Sequence, residues 1–394
     1  MMNISDVVVL GLGRTPGGRF GGTLANMDVI DLGAAVIPEV LKRARVKSGE
    51  IDLVTWGHTR PTGYEGDTGR LVALQAGIPI QVPAFTINMA CISAMQAVIS
   101  GIQAILCGEA EIVLAGGMES MSTGNYILKG ARWGFRSGSK TVIDELYVPP
   151  RACPFSMGET AENVAERYGI SREEQDQYAY ASQLKAANAQ KNGWFDEEII
   201  PMKVPQPKES WVQFSKDEII RKDVSIEKLA SLLPVFRDGG TVTAGNSCAL
   251  ADGASALVLA SRKKADELGT KPIISFLSYH QSAVDPAFMG IGPIVAVPKA
   301  MEKAGLRMQD VELIEHNEAF ASVVLACMKE LEYDPAKLNI HGGAIALGHP
   351  TGSTGTRLIA TLYSSLKRIH GKIGLATLCG GTGVTGALLI KLEN

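Results

Sequence analysis

The feature of this sequence that most limits its fold is an internal duplication. Residues 50–57 (EIDLVTWG) and residues 310–317 (DVELIEHN) share their order of acidic and apolar positions and lie 260 positions apart. Pro38 and Pro298 keep the same spacing. Because repetition at a fixed spacing marks a repeated structural unit, the sequence predicts two copies of one unit within 394 residues.

Each copy carries an amphipathic helix followed by a buried strand. In the first copy, apolar residues recur at helical spacing over 95–106, and the apolar run 112–115 leads into a glycine pair. The second copy repeats this order over 358–366 and 373–378. Short apolar runs bounded by glycine are typical of strands that are buried on both faces. The alternation predicts an α/β fold with mostly parallel sheets covered by helices.

The two copies differ in length at one point. In the second copy, a strand at 387–390 begins 8 residues after Cys379. In the first copy, the comparable strand at 254–259 begins 137 residues after Gly117. The first copy is therefore predicted to contain an inserted domain of the size of a substrate domain.

The predicted division of the chain follows from this insertion. Ser171 and Glu174 form a capping-box pattern that predicts a helix over 172–190 within the insertion. Two duplicated halves are expected to meet about a pseudo-twofold axis, and the cleft where they meet is the expected ligand site. The predicted segments are the first half, the insertion and the second half: 1–121 with 251–270, then 122–250, then 271–394.

Composition and charge exclude several classes of protein. Hydrophobic residues make up 46% of the chain, which is enough for a large core. The 38 basic and 41 acidic residues give a net charge of −3, so we expect neither nucleic acid nor a membrane as a partner. No apolar stretch reaches the roughly 20 residues of a spanning helix. Residues 1–14 lack the pattern of an export signal, and a cytoplasmic location is expected.

The six cysteines are scattered along the chain. They form no CxxC pair and no cluster with histidine at zinc-finger spacing, so neither a disulfide framework nor a metal site is expected. A reducing compartment fits this cysteine usage best.

Cys91 is the first candidate for catalysis. It lies between a segment predicted to be a strand, 85–88, and a helix predicted to begin near Ile92. The dipole and free N–H groups of a helix N-terminus favour a thiolate, which is the nucleophilic form. A buried core cysteine is the alternative interpretation.

His349 lies in a glycine-rich turn, 342–352, before the helix of the second copy. That helix corresponds to the one that follows Cys91, so the duplication brings His349 toward Cys91. A cysteine and a histidine together form a nucleophile and its base. A histidine in such a loop is otherwise a surface or capping residue.

Two further segments follow predicted strands. Cys379 precedes two glycines, whose backbone can approach a ligand closely and direct N–H groups at an oxyanion. Its thiol is a candidate proton carrier. Asn317 follows the strand at 313–315 and is a candidate to orient a water molecule or hydroxyl, or alternatively a helix cap.

The glycine-rich segment 11–18 (GLGRTPGG) does not fit a dinucleotide-binding loop. Pro16 and the following glycines would break the required helix, and Asp31 is a weak match for the acid that binds ribose. We interpret the segment as a turn.

Several motifs in this order and spacing resemble the thiolase family over the whole length of the chain. The resemblance implies a thiolase-like duplicated αβαβα layered architecture with an inserted loop domain. It also implies reversible CoA-dependent cleavage of a 3-oxoacyl-CoA to acetyl-CoA and a shortened acyl-CoA. The motifs are Arg14-Thr15-Pro16, GGMESMS at 116–122, Met157-Gly158 with TAEN at 160–163, GTVTAGN at 240–246, NEAFA at 317–321, Gly348-His349-Pro350 and Cys379-Gly380-Gly381.

The resemblance implies a role for each candidate residue. Cys91 would carry the acyl group as a thioester, and His349 would activate that thiol and hydrogen-bond a thioester oxygen. A water molecule held by Asn317 would complete that oxyanion site. Cys379 would exchange a proton with the methyl carbon of acetyl-CoA. The N–H groups of Cys91 and Gly381 would form a second oxyanion hole, and no metal or resident cofactor would be needed.

The resemblance further implies that the insertion covers CoA, which is a substrate. Arg221 matches a position that meets the nucleotide end, although a solvated surface arginine is the alternative. The other positions expected to contact CoA or substrate are Ser156, Met157, Ala244, Cys248 and Phe320.

Three departures from the acetoacetyl-CoA pattern concern the substrate. Ser156 stands where a histidine is usual, Cys248 where a serine is usual, and His316 where an apolar residue is common. Loss of the histidine frees volume and removes a polar contact. These departures favour a longer, branched or aromatic acyl chain over acetoacetyl-CoA, and the flanking segment 289–293 resembles degradative 3-oxoacyl thiolases more than short-chain ones.

Other functions stay open. A decarboxylating condensing enzyme shares the fold, but it does not need the second thiol of Cys379. A non-catalytic CoA or lipid carrier would not need all four catalytic positions. An acetoacetyl-CoA thiolase or a subunit that requires a partner protein is also compatible. The resemblance suggests a homodimer, or a homotetramer formed through the loop at 126–140.

Overall fold

The two copies form the two halves of one mixed sheet in the computed structural model, which describes residues 2–64, 66–147, 151–206 and 210–393. The strands are β1 (Val7–Arg14), β2 (Gly18–Arg19), β3 (Leu53–Gly57), β4 (Ala84–Ile87), β5 (Ile112–Ser120), β6 (Tyr126–Ile127), β7 (Ile143–Asp144), β8 (Met202–Gln206), β9 (Ser210–Phe214), β10 (Ala251–Ser261), β11 (Ile274–Ala283), β12 (Leu313–His316), β13 (Ile373–Cys379) and β14 (Val384–Leu392).

Helices cover both faces of the sheet. Among the residues described, no helix combines the length and apolar character needed to cross a membrane. The helices are α1 (Val29–Ala44), α2 (Thr68–Gln75), α3 (Ser93–Leu106), α4 (Met157–Tyr168), α5 (Arg172–Lys191), α6 (Ile226–Ala230), α7 (Arg262–Glu267), α8 (Gly292–Ala304), α9 (Ala321–Glu330), α10 (Ala344–Leu347) and α11 (Thr354–Ile369).

The order of the strands shows the duplication directly. The first half runs β4-β3-β5-β10-β1, and the second half continues as β11-β14-β13-β12. The corresponding strands of the two copies therefore lie in mirrored positions. The halves join where Val8 pairs with Ser275 and Val9 pairs with Ile274. The predicted repeat of one unit is confirmed.

The prediction of mostly parallel sheets is wrong. Only β3–β4, β3–β5 and β12–β13 pair in parallel within the described part of the sheet; its other ladders are antiparallel. The short turn between β13 and β14 cannot hold the long crossover that a parallel pair requires. A buried apolar run predicts a strand, but it does not show whether that strand is parallel or antiparallel to its neighbours.

Three hydrophobic layers confirm the αβαβα arrangement. The outer layer of the first half packs α1 residues such as Leu32 and Ile37 on Val54 and Leu114. The central layer packs α3 and α11 between strands of both halves. The outer layer of the second half packs α8 on β12 and β14. The two central helices are therefore held by both copies at once.

The segment between β5 and β10 contains β6 to β9 and α4 to α6. The Oγ of Ser171 accepts a hydrogen bond from the N–H of Glu174 at 3.2 Å, and the helix after it spans Arg172–Lys191. The helix predicted from the capping box is confirmed. Arg14 ties this segment to the first half, because its guanidinium contacts Glu198 and Asp217 at 2.7 Å each.

The segment 11–18 is not simply a turn, and that interpretation is wrong for its first half. Gly11 to Arg14 belong to the buried strand β1. A Cβ atom on Gly11 would lie 2.5 Å from the backbone nitrogen of Ala44 in α1. Glycine is needed here because α1 packs directly on the strand, and the sequence pattern alone does not distinguish that requirement from a turn.

Candidate active site

The site forms where the N-termini of the two central helices meet. A Cβ on Gly355 in α11 would lie 2.2 Å from the backbone nitrogen of Met95 in α3. A Cβ on Gly117 would lie 2.0 Å from the carbonyl oxygen of Gly352. Since no side chain fits at either contact, these glycines permit the approach that brings the loops of Cys91 and His349 together.

A strained turn presents Cys91. Ala90 has φ of 50°, a left-handed conformation that costs a non-glycine residue about 1–2 kcal/mol. The Oγ of Ser93 donates to the carbonyl of Ala90 at 2.5 Å and accepts from the N–H of Met89 at 2.9 Å. These bonds hold the turn, and the backbone N–H groups of Gly381 and of Cys91 itself act on the sulfur in the direction that favours the thiolate.

The acidity of Cys91 differs from the sequence expectation. Burial raises the pKa of its thiol above the usual value, while the N–H of Gly381 and the cation of Arg60 oppose that rise. Helix α3 begins at Ser93 with Ile92 as its N-cap, so Cys91 precedes the helix rather than lying in its first turn. The thiol therefore needs a base to become nucleophilic near neutral pH.

His349 is the residue predicted to supply that base. The side chain is buried, with 4% of its surface exposed. Its backbone N–H donates to the carbonyl of Ala249 at 3.0 Å, and its Nδ1 lies 2.8 Å from the Oγ1 of Thr354. Burial, assisted by the cations of Arg357 and Arg60, lowers the pKa of His349 to about 3. The imidazole is therefore neutral at physiological pH, and one of its ring nitrogens carries a lone pair.

Asn317 lies beside His349. It follows β12, and its N–H donates to the carbonyl of Thr377 at 3.0 Å. Its Nδ2 lies 3.4 Å from the Nε2 of His349, while its buried Oδ1 has no partner among the described residues. Helix α9 begins only at Ala321, so the alternative reading of Asn317 as a helix cap is wrong. The free oxygen suits a bound water molecule.

Cys379 is the last residue of β13 and is buried. Burial is the main cause that raises the pKa of its thiol, and the nearby thiols of Cys91 and Cys248 raise it further. The pKa of Cys248 is raised to about 12, again by burial and by Cys91. Three thiols therefore share one electrostatic environment, and Cys379 holds its proton firmly.

Apolar side chains surround Cys379 and form one wall of the site. Phe320 packs edge-on against Phe236 with ring centroids 6.1 Å apart, in a cluster that also contains Met289 and Met157. The sulfur of Met157 lies 3.5 Å from the position of a Cβ on Gly381. Sequence analysis did not select Phe236, because it belongs to no motif and has no periodic neighbours.

The remaining residues predicted to contact CoA or substrate differ in how far their side chains are exposed to solvent. The Oγ of Ser156 accepts from the N–H of Glu159 at 3.3 Å as the cap of α4, at an exposed position. Cys248 pairs by its N–H with the carbonyl of Ala319 at 3.0 Å, which places it against the Asn317 loop. Ala244 and Arg221 are exposed, and the N–H of Arg221 donates to Gln183 at 2.9 Å.

Arg60 was also missed by sequence analysis. Its guanidinium donates to the Oγ1 of Thr59 and of Thr351 at 3.0 Å each, and lies 3.9 Å from Glu119. It acts on both Cys91 and His349 through its charge. Its segment resembles a surface loop in sequence, and only the fold brings it beside the residues that follow His349.

Family profiles match nearly the entire chain. The profile described as Thiolase, N-terminal domain, matches residues 7–263, and Thiolase, C-terminal domain, matches residues 270–392. An acetyl-CoA acetyltransferase of Cupriavidus necator is 44% identical over 391 residues, covering 98% of this chain and 100% of that protein. An acetyl-CoA acetyltransferase of Pseudomonas aeruginosa is 45% identical over 393 residues, covering 99% and 100%.

Solved structures agree with the profiles. The crystal structure of the Bacillus anthracis acetyl-CoA acetyltransferase matches with a TM-score of 0.96 and 42% identity, covering 98% of both chains. The crystal structure of human mitochondrial 3-ketoacyl-CoA thiolase matches with a TM-score of 0.95 and 38% identity, covering 98% of this chain and 99% of that one. This chain therefore belongs to the thiolase family and is an acyltransferase.

Proposed function

We propose that this enzyme cleaves a 3-oxoacyl-CoA with CoA, reversibly, through an acyl thioester on Cys91. The observation that carries the proposal is the packing of the N-terminus of α11, which follows His349, against α3, which follows Cys91. This packing brings together the segments that carry four chemically complementary groups. They are the thiol of Cys91, the neutral imidazole of His349, the protonated thiol of Cys379 and the N–H of Gly381.

The first half of the reaction follows from these groups. His349 accepts the proton of Cys91, and the thiolate attacks the 3-oxo carbon of the substrate. The N–H groups of Cys91 and Gly381 stabilise the resulting oxyanion. When the carbon–carbon bond breaks, the electron pair forms the enolate of acetyl-CoA, whose oxygen faces His349 and the water held by Asn317. The thiol of Cys379 then protonates the enolate carbon.

The second half returns the enzyme to its starting state. The thiolate of Cys379 accepts the proton of an incoming CoA thiol, and the CoA thiolate attacks the acyl thioester. Cys91 leaves as a thiolate and recovers its proton from His349. A high pKa suits Cys379 because it must remain a thiol until a carbanion-like centre forms beside it. The scheme uses no metal or resident cofactor, since the thioester itself acidifies the α-carbon.

We propose an acyl chain that is longer than acetoacetyl, branched or aromatic. Two features support this choice. Ser156 is smaller than the histidine usual at this position, and its Oγ already accepts a hydrogen bond from the N–H of Glu159 as a helix cap. The side of the site formed by Met157, Met289 and Phe320 is apolar.

Acetoacetyl-CoA is a second candidate substrate. It is favoured by the acetyl-CoA acetyltransferase relatives, which are 44–45% identical over nearly the whole chain. A third possibility is a thiolase subunit that is active only with a partner protein. Inactivity of the purified protein would indicate this requirement.

Substrate choice is tested by thiolysis with purified protein and CoA. The panel runs from acetoacetyl-CoA through medium and long chains to branched, aromatic and carboxylated 3-oxoacyl-CoA. We expect kcat/KM to be higher for a longer or aromatic chain than for acetoacetyl-CoA. Preference for acetoacetyl-CoA would replace our choice with the second candidate, and no cleavage of any substrate with CoA still bound would indicate a missing partner.

The mechanism is tested with three cysteine variants. Cys91→Ala should lower thiolysis by about 10⁴-fold or more, because it removes the nucleophile, while CoA binding persists. Cys379→Ala should still form the acyl thioester but should not exchange the methyl protons of acetyl-CoA with deuterium. Cys107→Ala, at an exposed cysteine, is the matched control and should behave like the wild type. Turnover near the wild-type rate by either active-site variant would refute the mechanism.

A further inference from the structure

The two ring nitrogens of His349 have different partners. Nδ1 lies 2.8 Å from the Oγ1 of Thr354, and Nε2 lies 3.4 Å from the Nδ2 of Asn317. An amide nitrogen can only donate a hydrogen bond. The contact with Asn317 is therefore favourable only when Nε2 carries a lone pair and the ring proton is on Nδ1.

The hydroxyl of Thr354 supports the same tautomer. It donates to the carbonyl oxygen of Pro350 at 3.0 Å, and a carbonyl oxygen can only accept. A hydroxyl has one proton to donate, so its oxygen is then free to accept from the Nδ1–H of His349. The three contacts form one directed chain from Asn317 to Nε2 and from Nδ1 through Thr354 to Pro350.

We propose that Thr354 is a positioning residue that fixes the neutral tautomer of His349, with the proton on Nδ1 and the lone pair on Nε2. Its catalytic consequence rests on the proposed function, because only this tautomer offers Nε2 as the acceptor for the thiol proton. Once Nε2 has that proton, it can donate to the oxygen of the enolate.

The fold makes Thr354 well suited to this role. It is the first residue of α11 and is fully buried, and its N–H also donates to the carbonyl of Pro350 at 3.1 Å. The same turn thus carries the histidine and the group that orients it. The charged groups that act on the ring, Arg357 and Arg60, are both cations and favour the neutral imidazole. The hydrogen bonds at the two ring nitrogens then favour the tautomer with the proton on Nδ1.

Nitrogen NMR tests the tautomer without any reference to activity. The chain has six histidines, and the signals of His349 are identified in ¹⁵N-histidine-labelled protein by their loss in His349→Gln. We expect wild-type protein at pH 7 to show Nδ1 as the protonated nitrogen and Nε2 as the unprotonated one. The opposite pattern, or a mixture of comparable populations, would overturn the proposal.

Variants of Thr354 test its part in fixing the tautomer. Thr354→Val removes the hydroxyl at nearly constant shape, and we expect a mixed tautomer and a fall in kcat on the order of 10²-fold with little change in KM. Thr354→Ser keeps the hydroxyl and should restore both the tautomer and most of kcat. Thr361→Val removes another buried hydroxyl of α11, which contacts Glu198 at 3.2 Å, and should change neither.

The outcomes separate this inference from the proposed function. If the wild type cleaves no 3-oxoacyl-CoA but shows the Nδ1-protonated ring, and Thr354→Val disturbs it, the proposed function fails and the positioning role stands. If Thr354→Val keeps a single wild-type tautomer, the positioning role is wrong whatever the activity. If Thr354→Val does not fold, Thr354→Ala replaces it as the variant without the hydroxyl, and a single wild-type tautomer in that variant would equally refute the positioning role.

Discussion

Two buried histidines differ in what their ring nitrogens contact. Burial lowers the pKa of both His349 and His316 to about 3. His349 has a partner at each nitrogen, whereas neither nitrogen of the fully buried His316 has a partner in the described chain. The ring of His316 instead meets Tyr333 edge-on with centroids 6.0 Å apart. His349 is therefore oriented by polar contacts at both ring nitrogens, whereas the polar atoms of His316 are buried without compensation.

Replacing His316 with leucine should make stability less sensitive to acid. A lowered folded-state pKa means that stability is complete above the unfolded pKa of about 6.5 and is lost as the pH falls toward the folded value of about 3. Between pH 7.5 and 5.5, the free energy of unfolding should therefore fall by about 1.4 kcal/mol more in the wild type than in His316→Leu. Urea unfolding at the two pH values measures this difference.

The comparison isolates His316 because the wild type and the variant share every other histidine. Equal losses of stability in the two proteins would show that His316 gains no proton on unfolding. Leucine is also the kind of residue that the family pattern favours here, so we expect the variant to fold.

At the scale of elements, the crossing of α3 and α11 depends on the absence of a side chain at Gly355. Gly355→Ala would place a methyl group 2.2 Å from a backbone nitrogen that cannot rotate away. The better helix propensity of alanine, worth about 1 kcal/mol, opposes the clash. We expect the clash to prevail and to destabilise the protein by about 1–3 kcal/mol, measured by thermal or urea unfolding.

The same change should affect activity, because both helices carry active-site loops at their N-termini. A shift of α11 away from α3 should lower kcat by separating His349 from Cys91. Gly49→Ala is the control, since a Cβ there meets no atom within 4 Å, and its stability should change by less than about 0.5 kcal/mol. Equal stability of the two variants would show that the helices have room to separate.

The sequence predicted the positions of these helices and strands correctly, but it did not predict the relative directions of the strands. The periodic apolar positions predicted α3, α11, β13 and β14, because helical and strand periods are set by local geometry. The capping box predicted α5 for the same reason. Strand direction and the role of Gly11 depend on what packs against each segment, which no local pattern reveals.

The residues of the candidate site could likewise be predicted from the sequence, whereas their electrostatic surroundings could not. Cys91, His349, Asn317 and Cys379 are recognisable because each stands at the end of a repeated strand or the start of a repeated helix. The fold determined the raised pKa of Cys91, since burial there outweighs the local N–H groups. It likewise determined the proximity of Arg60, which approaches from a distant loop.

At the scale of the whole molecule, Arg14 joins the inserted segment to the first half. It donates from Nε to Glu198 at 2.7 Å and from its two terminal nitrogens to Asp217 at 2.7 and 3.0 Å, all within the buried interior. Arg14→Met should cost about 3–5 kcal/mol of stability, because two carboxylates then remain buried without their cation. Chemical denaturation measures the loss.

An exposed ion pair provides the control. Lys42→Met removes a surface contact with Glu39 at 3.0 Å and should cost no more than about 1 kcal/mol. A comparable loss in both variants would contradict a dominant role for the buried cation. Restored stability in a triple variant with Arg14, Glu198 and Asp217 all replaced by apolar residues would support it.

The place of β10 in the sheet has a consequence for synthesis of the chain. This strand fills the gap between β5 and β1, yet residues 121–250 must be translated before it. At the usual rate of synthesis, that delay lasts on the order of 10 s. Throughout it, two apolar strands of a nascent half-domain have no partner between them. The first half therefore cannot complete its sheet until β10, the last of its own strands, has been translated.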